Sequence, residues 1–315
     1  MGVVNISEVV DFVLLGFPVS QKLKILIFTF ILASYCIILV ANIVIVTVVK
    51  KFPHLYVPMY IFISNFSLME ICCTTIIIPK MLTDLVNTKE SISFNGCLIQ
   101  FYFILFSGAM ENILLAMMGY DRYLAICHPL HYSSIMTHTV CYRMAAGSWI
   151  TSFLMPIMPT IAVSKLSFCD NRKIDHFFCD FGALVKLSCS TTAIAAKIFF
   201  GQAWILILSC SSVTFISYIY IIYTVLKIPT HSGRKKAFST CVSHLTVVGI
   251  FYGTLFFMYV RPSESNTTHL DKGISVFYTV VAPLLNPIIY SLRNANIKTA
   301  LNTMLQKQWG VKRTV

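Results

Sequence analysis

Charged residues are scarce in this sequence. They make up 11% of the 315 residues, whereas hydrophobic residues make up 57%. A soluble domain carries about 25% charged residues, so this composition excludes an ordinary soluble protein. The mean hydropathy is +0.77, and several apolar runs approach or exceed the ~20 residues that cross a bilayer as a helix. We therefore predict a single all-α integral membrane domain.

Other features are also missing. Residues 1–24 lack the basic start, compact apolar core and small-residue cleavage site of a cleavable signal peptide. No nucleophile–base set or phosphate-binding loop is visible, so we expect no catalytic residues and no enzyme. A transporter or channel would show charges along several helices or an inverted repeat. The sequence has only two acids deep within apolar runs and no repeat, which argues against that class.

The net charge of +12 does not indicate a nucleic-acid partner. The basic residues lie in the loops between apolar runs and in the tail, and no arm or amphipathic stripe collects them. Anionic membrane lipid and an intracellular protein partner explain this distribution better.

Seven apolar runs predict a seven-transmembrane helix bundle. The Lys/Arg bias between the two sides is slight and the acids lie mainly on one side, from which we expect an extracellular N terminus. The predicted parts are an extracellular segment 1–24, a bundle 25–292 with a long outer loop 163–197, and a cytoplasmic part 293–315. Residues 294–306 are typical of a short amphipathic eighth helix. The predicted membrane helices are 25–49, 57–85, 95–126, 140–162, 197–226, 236–260 and 271–292.

Four of the eleven cysteines cluster at the outer end of the third run and in the long loop: Cys97, Cys169, Cys179 and Cys189. An oxidising outer face would pair them, and four cysteines allow three pairings. Their wide spacing lacks the compact pattern of a metal site. On the same side, Asn5-Ile6-Ser7 matches an N-glycosylation acceptor, and Asn266 lies in another match within a polar loop.

Two acids, Glu70 and Glu111, lie deep within the second and third runs. A carboxyl group buried in a membrane must be protonated, paired or bound to a cation. Two interpretations stay open: neutral side chains that hydrogen-bond neighbouring helices, or a shared Na⁺ or proton site. Otherwise we expect no metal and no cofactor.

The most specific patterns lie at the predicted inner ends of three helices. Met118-Gly-Tyr-Asp-Arg-Tyr123 places an acid–base pair at a membrane boundary, where charges are costly. Lys235-Lys-Ala-Phe-Ser-Thr-Cys-Val-Ser-His244-Leu begins the sixth run. Pro283-Leu-Leu-Asn-Pro-Ile-Ile-Tyr290 ends the seventh, and prolines within such runs kink helices and free carbonyl groups.

These strings closely resemble the odorant receptors, a branch of the rhodopsin-like G-protein-coupled receptors. The resemblance covers residues 12 to about 298 and includes Pro58-Met-Tyr-Ile-Phe. The long loop is similar to that of the class II, tetrapod-type members. Departures include Glu70 for the usual Asp, Gly119 for Ala, and Gly182-Ala183 where the family often has two prolines.

The resemblance implies disulfides Cys97–Cys179 and Cys169–Cys189. It also implies that agonist binding moves the sixth helix outward and frees Arg122, which Asp121 restrains at rest, to engage a G protein. Carried over residue by residue, the coupling and activation positions are Asp121, Arg122, Tyr123, Tyr218, Lys235, Lys236, His244, Asn286, Pro287 and Tyr290.

The resemblance further implies a ligand pocket between helices 3, 5, 6 and 7. These positions are mainly apolar and carry no acid or base, which favours a small neutral odorant, with Tyr259 donating to its carbonyl or hydroxyl oxygen. The implied pocket residues are Leu105, Gly108, Ala109, Asn112, Gln202, Ala203, Leu206, Tyr252, Leu255, Tyr259, Val276 and Thr279.

The expected function is thus an odorant receptor that activates a stimulatory olfactory-type G protein and raises cyclic AMP. The expected location is the plasma membrane of olfactory neuron cilia, with receptor-transporting chaperones as further partners. A rhodopsin-like receptor for a non-odorant ligand, a peptide or metabolite, is the alternative.

Overall fold

The computed structural model describes residues 11–17, 19–87, 91–168, 172–259, 268–292 and 295–308. Six helical segments in these ranges are long and apolar enough to cross a membrane, and the shorter apolar helix Cys241–Phe257 completes seven crossings. The prediction of an all-α seven-helix bundle is confirmed. The helices are α1 (Gln21–Lys51), α2 (Pro58–Val86), α3 (Phe94–Cys127), α4 (Pro129–Ile135), α5 (His138–Leu154), α6 (Ile157–Ser164), α7 (Phe181–Leu187), α8 (Ala193–Leu226), α9 (His231–Tyr259), α10 (Thr268–Val276), α11 (Ala282–Leu292) and α12 (Ala295–Gln308).

Helix α3 lies at the centre of the bundle. It packs against α2, α5, α6, α8 and α9, and its Met110, Leu114 and Met118 are fully buried. Apolar burial does not drive helix association inside lipid, so packing and interhelical hydrogen bonds must do it. One such bond joins α5 to α2, where the Trp149 indole N–H donates to Asn65 Oδ1 at 2.9 Å.

Two crossings are interrupted. The fourth, predicted as one helix over 140–162, consists of α5 and α6, which meet at Met155 and Pro156. Proline has no N–H and cannot continue the helical hydrogen-bond ladder. The seventh consists of α10 and α11 joined by a π-helical turn, Phe277–Val281. Such single turns inside α-helices are frequent at functional sites.

One end of the bundle is covered by a small sheet that the sequence did not predict. Strand β1 (Asp11–Leu14) pairs antiparallel with β2 (Ser91–Ser93) and parallel with β3 (Lys173–Ile174). The register aligns Phe12 with Ile92 and Val13 with Lys173, and Phe12 and Leu14 are fully buried. We call this sheet, together with residues 172–192, the lid, and its side of the bundle the lid end. The opposite side is the Arg122 end.

Helix α12 follows the seventh crossing at the Arg122 end. Its Ile297 and Ala300 are buried in the same apolar cluster as Tyr60 and Tyr290, and Asn296 donates to the Tyr60 hydroxyl at 3.0 Å. The predicted short eighth helix over 294–306 corresponds to this element, which spans Ala295–Gln308.

Candidate functional site

A cavity of about 150 Å³ lies between the lid and the helices of the bundle. Residues of α3, α6, α8, α9 and the seventh crossing form its walls, and residues of the lid form its cover. Nine of the positions expected from the resemblance line it: Leu105, Gly108, Ala109, Asn112, Gln202, Ala203, Leu206, Leu255 and Thr279.

Two described residues of the expected pocket, Tyr252 and Val276, are not among the lining residues. The Tyr252 hydroxyl turns to Asn112 Oδ1 at 3.0 Å, so Tyr252 supports the wall from behind. Val276 packs instead with the apolar cluster of Ile31, Ile78 and Val280. The side chain of Tyr259, the expected hydrogen-bond donor, lies outside the described residues.

The sequence interpretation missed the lid's contribution to the cavity. Phe178, Cys179, Asp180 and Phe181 all line it, and Phe181 stacks on Phe199 with ring centroids 3.9 Å apart. A signal was present, since residues next to a cysteine that is bonded to the end of α3 must lie over the bundle. The lid thereby adds an acid, Asp180, to a lining whose expected positions carry none. Its carboxylate Oδ2, however, accepts the backbone N–H of Gly182 at 2.8 Å and caps α7.

The fourth crossing also contributes, through Met155, Pro156 and Pro159. The break between α5 and α6 brings the Met155 carbonyl to the Gln202 side chain of α8, whose Nε2 donates to it at 2.6 Å. Aromatic and aliphatic side chains complete the lining: Phe101, Ile104, Phe199, Ile207 and Phe251, with Ser275 and Tyr278 from the seventh crossing.

A disulfide ties the lid to the bundle. It joins Cys97 of α3 to Cys179, the pairing that the resemblance implies. Beside it, the Cys179 N–H donates to Gln100 Oε1 at 3.0 Å. Cys189 is also disulfide-bonded, and Cys169, its expected partner, lies outside the described residues. The expected glycosylation site Asn5 lies outside them as well, as does Asn266, another match to the acceptor pattern.

At the Arg122 end, Asp121 is fully buried and forms a salt bridge with Arg122. Its second oxygen accepts a hydrogen bond from the Tyr132 hydroxyl of α4 at 2.7 Å. Burial, together with the charge of Asp121, raises the pKa of Tyr132, so the hydroxyl stays protonated and donates. A desolvated carboxylate is stable only with such partners. The contacts hold Arg122 against α3.

A second contact closes the Arg122 end. His244 of α9 is fully buried, and its Nε2 lies 3.1 Å from the Leu115 carbonyl of α3. A carbonyl only accepts, so Nε2 carries a proton. The other ring nitrogen, Nδ1, lies 2.6 Å from the Tyr218 hydroxyl of α8. One imidazole thereby joins three crossings.

Between the two ends lies a polar centre, defined by Asn42, Glu70, Glu111, Asn286 and Tyr290. Asn42 and Asn286 donate to the two oxygens of Glu70 at 3.0 and 2.6 Å. The Tyr278 hydroxyl donates to Glu111 at 3.2 Å. Asn286 Oδ1 and the Tyr290 hydroxyl are buried without a hydrogen-bond partner among the described residues.

The remaining activation positions are Tyr123, Lys235, Lys236 and Pro287. The Tyr123 hydroxyl lies 2.9 Å from His128 Nε2, Lys235 is exposed, and the side chain of Lys236 is not described. Pro287 is buried within α11. The structure thus brings Asp121 with Arg122, Tyr218 with His244, and Asn286 with Glu70 into three separate contacts.

Comparison with known proteins agrees with this architecture. A family model described as "Olfactory receptor" matches residues 30–308. Olfactory receptor 6F1 of Homo sapiens is 46% identical over 300 residues, which are 95% of this chain and 96% of that protein. Olfactory receptor 226 of Rattus norvegicus is 45% identical over 303 residues, 95% and 93% of the two chains. Olfactory receptor 11L1 of Homo sapiens is 43% identical over 307 residues, 98% and 95%. The chain belongs to the olfactory receptor family, a family of receptors and not of enzymes.

Proposed function

We propose that this receptor binds small neutral volatiles in the cavity beneath the lid. The observation that carries the proposal is the cavity itself, enclosed by aromatic and aliphatic side chains and about 150 Å³ in volume. An apolar cavity of about 150 Å³ accommodates a molecule of the size of benzene. A peptide is too large for it, and Asp180, the acid of the lining, is engaged in capping α7.

We propose that binding is transmitted to a stimulatory olfactory-type G protein and raises cyclic AMP. The cavity and the Arg122 end share two helices: α3 carries both Gly108 and Arg122, and α9 carries both Leu255 and His244. A ligand that favours another position of α9 would weaken the contacts of His244 with Leu115 and Tyr218. Release of those contacts opens the Arg122 end to the G protein.

We propose that the lid end is extracellular and that the protein lies in the plasma membrane of olfactory cilia, delivered by receptor-transporting chaperones. The Cys97–Cys179 disulfide supports this orientation, because disulfides persist in oxidising compartments and are rare in the cytosol. Basic side chains at the other end, among them Lys50, Lys51 and Lys235, fit the anionic cytoplasmic leaflet.

We propose that the polar centre holds Na⁺, with Glu70, Glu111 and Asn286 as the residues that would bind it. Sodium prefers hard oxygen donors, and the buried Asn286 Oδ1 that lacks a partner is such an atom. Within the described residues there is no cluster of three or more His, Cys, Asp or Glu side chains, so a transition metal is not proposed. Raising Na⁺ against choline at constant ionic strength should raise the thermal stability of purified receptor, and Glu70→Gln should remove that dependence.

The main experiment measures cyclic AMP in cells that express the receptor with its chaperones, during exposure to a panel of neutral volatiles. We expect a response to a few compounds and its loss in Arg122→Ala at matched surface expression. Gly108→Leu should also abolish it by filling the cavity. Gly147→Leu is the matched control, because Gly147 is exposed on α5 and a Cβ there meets nothing within 4 Å. Silence across the panel at confirmed surface expression would refute the proposed ligand class.

A further inference from the structure

We infer that Gln202 makes this receptor select ligands that carry a hydrogen-bond donor, so that an alcohol is preferred to the ketone of the same skeleton. The inference rests on the proposed function and names the ligand class for the same cavity. It depends on the orientation of one amide group, which the neighbouring backbone of the fourth crossing determines.

The orientation begins with Pro159. In a continuous helix the carbonyl of residue i accepts the N–H of residue i+4. The residue four positions after Met155 is Pro159, which has no N–H. The Met155 carbonyl is therefore left without a helical partner, and the Gln202 side chain of α8 supplies one, with Nε2 at 2.6 Å.

This contact determines which end of the amide is available to a ligand. The Met155 carbonyl only accepts, so the nitrogen of Gln202 must face it and the oxygen must point elsewhere. Gln202 Oε1 is buried and has no hydrogen-bond partner among the described residues, while Gln202 lines the cavity. A buried acceptor left unpaired is costly. A ligand in the cavity can satisfy it only with an O–H or N–H.

Three hydroxyl groups in and around the cavity already donate their hydrogen bonds to protein atoms. The Tyr278 hydroxyl donates to Glu111, the Tyr252 hydroxyl to Asn112 and the Thr279 hydroxyl to the Ser275 carbonyl. Asn112 Nδ2 and the Ser275 hydroxyl remain as donors to a ligand oxygen, but they serve an alcohol and a ketone equally. The Asp180 carboxylate is engaged in capping α7, where it accepts the backbone N–H groups of Gly182 and Ala183. Discrimination between the two therefore comes from Gln202.

The test uses matched volatiles: an alcohol, the ketone of the same carbon skeleton and the corresponding hydrocarbon, built on the skeleton of the strongest agonist of the panel. The potency of each is measured by cyclic AMP in the full-length receptor. We expect the alcohol to exceed the ketone by about tenfold or more, the range that one unmade buried hydrogen bond produces. In Gln202→Met, which keeps the length of the side chain, the alcohol should lose this advantage and the ketone should change little.

A second variant tests the orienting contact while Gln202 itself is kept. Pro159 also lines the cavity, but the loss of its ring affects an alcohol and a ketone of the same skeleton alike. Pro159→Ala returns an N–H to the Met155 carbonyl and competes with Gln202 for it, so the amide can turn its nitrogen toward the ligand. The alcohol-to-ketone ratio should then fall while the response persists at wild-type surface expression. A ketone as potent as its alcohol in a responsive wild-type receptor would overturn the inference and leave the proposed function intact. A receptor that answers no volatile would overturn the proposed function.

Discussion

The two ends of the bundle are stabilised in different ways. The lid end is held by a covalent bond between Cys97 and Cys179, by the pairing of β1 with two other strands, and by stacked aromatic rings such as Phe181 on Phe199. The Arg122 end is held by hydrogen bonds and a salt bridge between side chains. The first set resists rearrangement, whereas each contact of the second can break and form again within one conformational change.

The difference matches what each end must do in the proposed function. A cavity that recognises a small ligand needs walls that keep their shape. The small contact area contributes too little binding free energy to order flexible walls as well. A switch needs two arrangements of similar free energy, so that a ligand of modest affinity can shift the balance between them. Variants that break contacts at one end should therefore differ in their effects from variants that break contacts at the other.

The largest effect should come from Cys97→Ser. The disulfide closes a loop with a sequence separation of 82 residues, and loss of such a bond costs about 4 kcal/mol in the chain-entropy account. We expect the variant to be retained inside the cell, with surface labelling reduced at least fivefold. Cys36→Ser is the control, since Cys36 is free and exposed on α1. Normal surface labelling of Cys97→Ser would show that the sheet, not the disulfide, keeps the lid in place.

The next effect is expected at the other end, in Asp121→Asn. The amide keeps the size of the side chain but removes the charge that pairs with Arg122 and accepts from Tyr132. Since a buried charge pair loses much of its stabilisation with one partner gone, Arg122 should be released and basal cyclic AMP should rise severalfold without ligand. Asp11→Asn, at an exposed position of β1, should leave the basal level unchanged. A basal level that stays at the wild-type value would mean that His244 alone keeps this end closed.

A smaller effect is expected from Lys272→Met at the lid end. The buried Lys272 ammonium donates to Asp175 of the lid at 2.6 Å and to the Gly16 carbonyl at 2.8 Å. Asp175 is 52% exposed, so water screens the pair and its contribution is about 1 kcal/mol. The response should decay about threefold to fivefold faster after ligand washout, while basal cyclic AMP stays low. Lys197→Met, exposed at the start of α8, is the control, and an unchanged decay time would exclude this contact as a restraint on the lid.

Much of this arrangement could be predicted from the sequence, but unevenly. Apolar runs predicted the crossings to within a few residues, because membrane length leaves little choice of element. The break at Pro156 and the π-helical turn were missed, since hydropathy does not distinguish a continuous helix from two collinear ones. The strand β1 was missed because Asp11-Phe-Val-Leu14 pairs with segments far away in sequence, and no local pattern indicates such partners. The orientation of the Gln202 amide depends on a backbone carbonyl of another crossing and could not be read from residue types alone.

The smallest effect is expected from Gly119→Ala on α3, beside His244 of α9 and Thr214 of α8. A Cβ at Gly119 would lie 3.6 Å from His244 Cε1 and 3.6 Å from Thr214 Cα, which is ordinary van der Waals contact. Alanine favours a helix over glycine by about 1 kcal/mol, so the thermal midpoint of the purified receptor should rise by about 2 °C. Signalling should remain as in the wild type.

Gly147→Ala separates helix propensity from packing in this measurement, because its Cβ would meet nothing within 4 Å. If both variants gain the same stability, the contact of α3 with α8 and α9 accepts a methyl group without cost. The contrary result is that Gly119→Ala gains less stability than Gly147→Ala, or loses stability. That result would show that the Arg122 end is packed as tightly as the lid end. The two ends would then differ only in the chemistry of their contacts.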